Sequence, residues 1–144
     1  MKKIGIFIGL LLAVSACEPR GIENISVGIV WKAQTVKENG QLVYQAGNAN
    51  NIRPGYERFR IDLTSKESAL YTDIDGRKLT GTWEISSGNK SLMLSNLVPA
   101  PSETGGIIEF FVIDLITKRN LHLKRTSESR KTGQTINEYQ LVPE

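Results

Sequence analysis

The chain has 144 residues, 40% of them apolar and 7% aromatic, with 18 Lys+Arg against 15 Asp+Glu. A net charge of only +3 excludes the basic footprint of a nucleic-acid-binding protein. One cysteine and one histidine exclude an intrachain disulfide and a Cys/His zinc set.

The first stretch, MKKIGIFIGLLLAVSAC, has a charged start at Lys2 and Lys3 and an apolar run from Ile4 to Val14. That run is too short to span a bilayer comfortably and reads as the hydrophobic part of an export signal. It ends in Val14-Ser15-Ala16-Cys17, small residues followed by the only cysteine. This resembles the lipobox of bacterial lipoproteins. The resemblance implies a thioether-linked diacylglycerol with palmitate-type chains on Cys17 and cleavage before it; the plain alternative is a secreted protein with an incidental cysteine. On this reading residues 1–16 are a signal peptide, 17–24 a lipidated tether and 25–144 one domain. Lys2 and Lys3 leave with the signal, so 16 basic residues face 15 acidic ones and the balance falls to +1. Glu18 stands where an Asp signals inner-membrane retention in some bacteria, so the expected address is the cell envelope, at the outer membrane.

A strand is expected from Ile25 through Trp31 and Ala33, since Ile25, Val27 and Ile29 alternate with Ser26 and Gly28. Asn39-Gly40 then turns the chain, because both central positions of a type I′ hairpin need positive φ. Pairing Glu38 with Gln41 places Thr35 opposite Tyr44. Gly47 to Gly55 is a loop by composition. Tyr56 to Leu63 is expected as a strand with Phe59, Ile61 and Leu63 on one face and Arg58, Arg60 and Asp62 on the other. Ala69 to Thr72 is a shorter one, and Asp73-Ile74-Asp75-Gly76 a turn. That tetrad looks like the start of a calcium loop, but the other ligands and the flanking helices of an EF-hand are absent.

Leu79 to Leu97 reads as a long hairpin turning at Ser86-Ser87-Gly88-Asn89. Setting Ile85 opposite Leu92 puts Trp83 opposite Leu94, a large cross-strand apolar pair. A breaker-rich loop, Pro99 to Gly106, precedes Ile107 to Thr117, which is apolar on both sides. Ile107, Phe111, Ile113 and Leu115 fall on one face and Ile108, Phe110, Val112 and Ile116 on the other. Such a strand is either covered twice or offers a sticky face to a partner. Lys118-Arg119-Asn120 turns into Leu121 to Lys124, with His122 pointing outward, and Thr135 to Val142 closes the chain. Eight or nine short strands and no helix of even ten residues after the signal imply an all-β, antiparallel, up-and-down barrel of about eight strands. A two-sheet β-sandwich is the alternative.

With the lipobox and the barrel pattern in place, the chain resembles the lipocalin-like domain lipoproteins common in Bacteroidota. The likeness rests on Leu79-Thr80-Gly81-Thr82-Trp83-Glu84-Ile85, on Leu92-Met93-Leu94 and on Glu138-Tyr139-Gln140-Leu141. In lipocalins the G-x-W feature lies on the first strand, whereas Gly81-Thr82-Trp83 is mid-chain, so the resemblance stays at superfamily level. It implies a small lipocalin- or calycin-like barrel with a binding role, no enzyme activity and no cofactor.

The inward aromatics Trp31, Tyr44, Phe59 and Trp83, with Leu94, are the candidate core or ligand pocket. Ile107, Phe111, Ile113 and Leu115 are the candidate partner face. The expected partners are the membrane through Cys17 and either a small hydrophobic molecule or an envelope protein, as in an accessory subunit or hydrolase inhibitor. Ser87-Gly88-Asn89-Lys90 and Lys131-Thr132-Gly133 match S-x-x-K and K-T-G of penicillin-recognising enzymes, but that serine starts a helix and this one sits in a hairpin turn. Arg119, Lys124, Arg125, Arg130 and Lys131 read as a solvated basic face, within reach of acidic headgroups.

Overall fold

The computed structural model describes residues 27–101, 104–116 and 119–144; the signal peptide, Cys17, the tether and Ile25 lie outside the described residues. Nine strands follow one another: β1 (Val30–Glu38), β2 (Gln41–Gln45), β3 (Arg60–Asp62), β4 (Ala69–Thr72), β5 (Lys78–Ile85), β6 (Ser91–Val98), β7 (Ile108–Ile116), β8 (Asn120–Arg125) and β9 (Asn137–Pro143). All pairings are antiparallel. Eight strands close in the order β1-β3-β4-β5-β6-β7-β8-β9, with β9 returning to β1. The result is a closed eight-stranded barrel. Closure satisfies the backbone donors and acceptors that an open sheet would leave at its edges.

β1 is the strand on which closure depends. One edge pairs with β9 from Trp31 to Glu38, while the other is shared by β3 at Val30–Lys32 and by β2 at Thr35–Glu38. Asn39 and Gly40 have φ of 47° and 83°, the left-handed pair that the hairpin turn requires. Of the strand expected from Ile25, the described residues Val27 to Ile29 are not strand, and β1 begins at Val30. Val27 instead folds back so that its carbonyl accepts the Trp31 indole N–H at 3.0 Å.

Bulges correct two further expectations. The register of β1 against β9 slips between Ala33 and Thr35, so the inward phase passes from Trp31 and Ala33 to Val36 and Glu38. A second slip, between Val36 and Lys37, sets Tyr44 opposite Val36 rather than Thr35. An extra residue reverses which side chains face inward, because the side-chain period is two. The central hairpin keeps its expected register, Trp83 opposite Leu94 and Ile85 opposite Leu92. At its far end Gly81 lies so close to the Ser95 carbonyl that a Cβ there has no room.

Tyr56 to Leu63 is the largest departure. Pro54–Arg58 forms a 3-10 turn, begun by the proline, and only Arg60–Asp62 is strand. Phe59, Ile61 and Leu63 do point inward and are buried. Tyr56, which the alternation places on a strand, instead caps one end of the barrel.

Strand direction defines two ends. At the lower end lie the turns after β3, β5 and β7, and here the interior is filled. Trp31, Ile61, Leu63, Leu92, Leu121 and Leu141 are wholly shielded from solvent. Trp83 lies over this end, half-buried against the core, with its indole N–H donating 2.7 Å to the Ser65 carbonyl. At the upper end are the Asn39-Gly40 turn, the 3-10 turn, the 73–77 turn, the loop after β6 and the loop between β8 and β9. That end is open.

Candidate functional site

The upper half of the barrel is a cup with a cavity volume of about 360 Å³, at the small end of the range that ligand pockets occupy, about 300–1,000 Å³. Its floor is aromatic. Phe59 stacks on Tyr139 with centroids 4.8 Å apart, and Tyr71 meets Phe59 edge-on at 5.4 Å. Tyr56 leans on Tyr139 at 6.2 Å from the 3-10 turn. These rings come from β4, β9 and the two ends of the segment before β3, so only barrel closure brings them together.

A network of hydrogen bonds holds them. The Asn137 amide donates to the hydroxyls of Tyr56 and Tyr139, both at 3.2 Å, and to Thr132 Oγ1 at 3.1 Å. Tyr56 donates in turn to the buried Glu38 carboxylate at 2.9 Å, which also accepts from Arg53 Nε at 3.3 Å. Burial pushes the phenols of Tyr56, Tyr71 and Tyr139 above their ordinary range. They remain protonated donors at any physiological pH.

The rim is charged. Lys131 Nζ bridges Asp73 at 2.6 Å and Asp75 at 2.7 Å, tying the 73–77 turn to the loop before β9. Burial alone would raise the Asp73 carboxyl, but Lys131 and the backbone N–H groups of Arg77 and Asp75 outweigh it and hold it below its usual value. Burial likewise opposes the Lys131 charge, and the two carboxylates more than restore it. Asp73-Ile74-Asp75-Gly76 is thus a turn closed by its own aspartate and locked by a lysine.

Of the candidate pocket residues, Phe59 alone lines the cup. Trp31 and Leu94 are packed in the barrel core, Tyr44 stands behind Tyr56 at 6.1 Å, and Trp83 covers the opposite end. Tyr71 and Asn137 are not singled out by the sequence, Tyr139 enters only through the family resemblance, and Arg125 only as part of a solvated basic face. Tyr71 and Tyr139 carry a local signal, since each falls on the apolar face of its strand; Arg125 is in phase with Leu121 and Leu123 too, but its charge points the reading outward.

Arg125 also leaves the expected basic face. It continues the inward phase of Leu121 and Leu123 on β8 and is only 6% exposed. On β7 and at the residue just before it, Ile107, Phe111 and Ile113 are 45%, 54% and 53% exposed, as the two-sided pattern anticipates. Leu115 is not with them. A bulge between Val112 and Asp114 turns it toward the core, against which it packs. His122 is half-buried and pairs with Glu138 at 2.7 Å rather than standing free in solvent. Ser87 and Lys131-Thr132-Gly133 lie at opposite ends of the barrel, so the two penicillin-enzyme fragments never meet. Among the described residues no three His, Cys, Asp or Glu side chains are grouped to hold a metal.

No protein-family model and no curated protein matches the chain. Two solved structures are similar to it. One is a lipocalin-like protein from Bacteroides uniformis, 14% identical over 81% of this chain and 96% of that one, with a TM-score of 0.47. The other is an uncharacterized protein from Bacteroides eggerthii, 12% identical over 81% and 98% of the two chains, with a TM-score of 0.44.

Proposed function

We propose that this chain is a lipid-anchored, non-enzymatic protein of the bacterial cell envelope, at the outer membrane, whose barrel binds a small, mainly apolar ligand in the cup. The observation that carries the reading is the contrast between the two halves of one interior. Below, side chains fill the barrel; above, the same walls open on an aromatic floor. An eight-stranded barrel is wide enough either to be filled or to hold one small ligand, and here it does each in turn. Binding is favoured over catalysis by the chemistry of the lining. The phenols are held protonated, Asp73 is ion-paired, and the Thr132 hydroxyl is hydrogen-bonded to Ser129, Thr135 and Asn137 within its own loop. Among the described residues no histidine or cysteine lines the cavity.

The neutral fluorophore N-phenyl-1-naphthylamine should bind saturably at one site per chain, and Ile74→Trp, which narrows the mouth, should weaken it several-fold. Absence of saturable binding, or identical binding by the variant, would refute the reading. Anchoring is tested separately: Cys17→Ser should move the protein from the membrane to the soluble fraction of the envelope. A second reading rests on the exposed Ile107, Phe111 and Ile113, which suit an interaction module docking another envelope protein. That protein would be lost from a crosslinked complex in Phe111→Lys but retained in Ile74→Trp.

A further inference from the structure

The cup contains a buried positive charge to which no carboxylate is paired among the described residues. Arg125 lines the cavity from the top of β8. Its Nε donates 3.2 Å to the Ser127 carbonyl, and its charge acts on the nearby Tyr139 phenol. Both neighbours are neutral. Among the described residues no carboxylate forms an ion pair with it. A guanidinium cannot shed its proton to escape the cost of burial, and an uncompensated ion is costly to bury.

The surroundings reinforce the sign. Leaving aside Arg130, which is engaged by another group, the charged side chains lining the cup among the described residues are Arg77, Arg125 and Lys131 against Asp73 and Glu128. Lys131 is already engaged by Asp73 and Asp75, so Asp73 is not available to Arg125. Glu128 is exposed at the rim. The planar fork of an arginine fits a carboxylate through two parallel N–H···O contacts. The rings of Tyr139 and Tyr71 line the same cavity, and the Arg125 charge acts on both phenols.

We infer that the ligand is a monocarboxylate with a compact apolar body, its head held by Arg125 and the Tyr139 hydroxyl and its tail on the Phe59–Tyr71–Tyr139 floor. This rests on the reading of the cup as a ligand site and adds to it the class of ligand. The anion supplies the counter-charge that the described residues do not, and water is excluded from the pair as the body of the ligand seats.

The test compares eight-carbon probes that differ only in the head group, by displacement of N-phenyl-1-naphthylamine. At pH 7.5 octanoate should bind the wild-type chain at least about tenfold more tightly than 1-octanol, and octylamine more weakly than either. In Arg125→Met, octanoate and octanol should compete equally, with octanol affinity little changed; Arg125→Lys should keep part of the preference. The wild-type series decides the matter even if the variants do not fold. Equal binding of octanoate and octanol, or preference for octylamine, would overturn the anion inference while leaving the cup a binding site. Failure of the fluorophore itself to bind would overturn both.

Discussion

Trp31→Ala should lose about 3–5 kcal/mol of stability in urea unfolding followed by circular dichroism, more than any other single truncation of an aromatic residue in this chain. The residue is completely buried and sits where the barrel closes, opposite Ile61 on β3 and Pro143 on β9. Removing the indole leaves a cavity between the two neighbours of β1 and takes from the Val27 carbonyl one of its two donors, the other being the Ile29 N–H. Trp31→Phe separates the two contributions: it keeps most of the packing and should cost only about 1–2 kcal/mol, for the lost hydrogen bond and the smaller ring. Trp83→Ala is the control. Its ring is half-buried over the lower end, so about 1–2 kcal/mol is expected. If Trp83 proved the more costly of the two, closure at β1 would not be the weak point of the fold.

Alkaline pH should unfold the barrel steeply and cooperatively. Tyr56, Tyr71 and Tyr139 all have phenol pKa values raised by burial above the ordinary 10. A group whose pKa is higher in the folded state stabilises fully below its unfolded value, and that stabilisation is lost as pH rises through the gap. Above pH 10 the unfolded chain releases protons that the folded chain keeps. Each phenol then contributes about 1.4 kcal/mol per pH unit, so three approach about 4 kcal/mol per unit. A domain with about 5 kcal/mol of stability would reach its midpoint little more than about one unit above pH 10. Lys131, also raised by its carboxylates, adds in the same direction, though its partial exposure to solvent keeps the effect small. Tyrosinate absorbance should rise together with loss of the β signal, and Tyr71→Phe should lower the slope by about a third. Gradual ionisation near pH 10 with the β signal intact would mean that the phenols are not buried in solution.

The elements most legible in the sequence are those whose signal is local. Asn39-Gly40 specifies its own turn through two positive φ angles, and strict alternation specifies the β5–β6 register down to Trp83 opposite Leu94. The 3-10 turn at Pro54–Arg58 was hidden because Tyr56, Arg58, Phe59 and Arg60 continue a plausible period of two, and nothing in that alternation shows that Tyr56 caps a barrel end. Leu115 was misassigned for a related reason: a bulge between Val112 and Asp114 adds one residue without changing the composition around it.

The candidate site was harder to read than the fold. Alternation assigns a side chain to the inside or the outside of a sheet but is silent on its height along the barrel axis. Trp31 and Phe59 therefore look equivalent in sequence, although one is embedded in the filled core and the other lies on the floor of the cup. Arg125 is the extreme case. By composition it belongs with Lys124 and Arg130, but its phase on β8 turns it inward, where Tyr139 waits on the neighbouring strand.

By itself the amino-acid sequence determined the all-β class, most of the turns and the face of most strand residues, because each depends on steric preferences within a few consecutive residues. The tertiary structure alone decided where the bulges fall, which half of the barrel is filled and which charge is buried. Those depend on strands far apart in the chain meeting at one height, and no local pattern encodes that height.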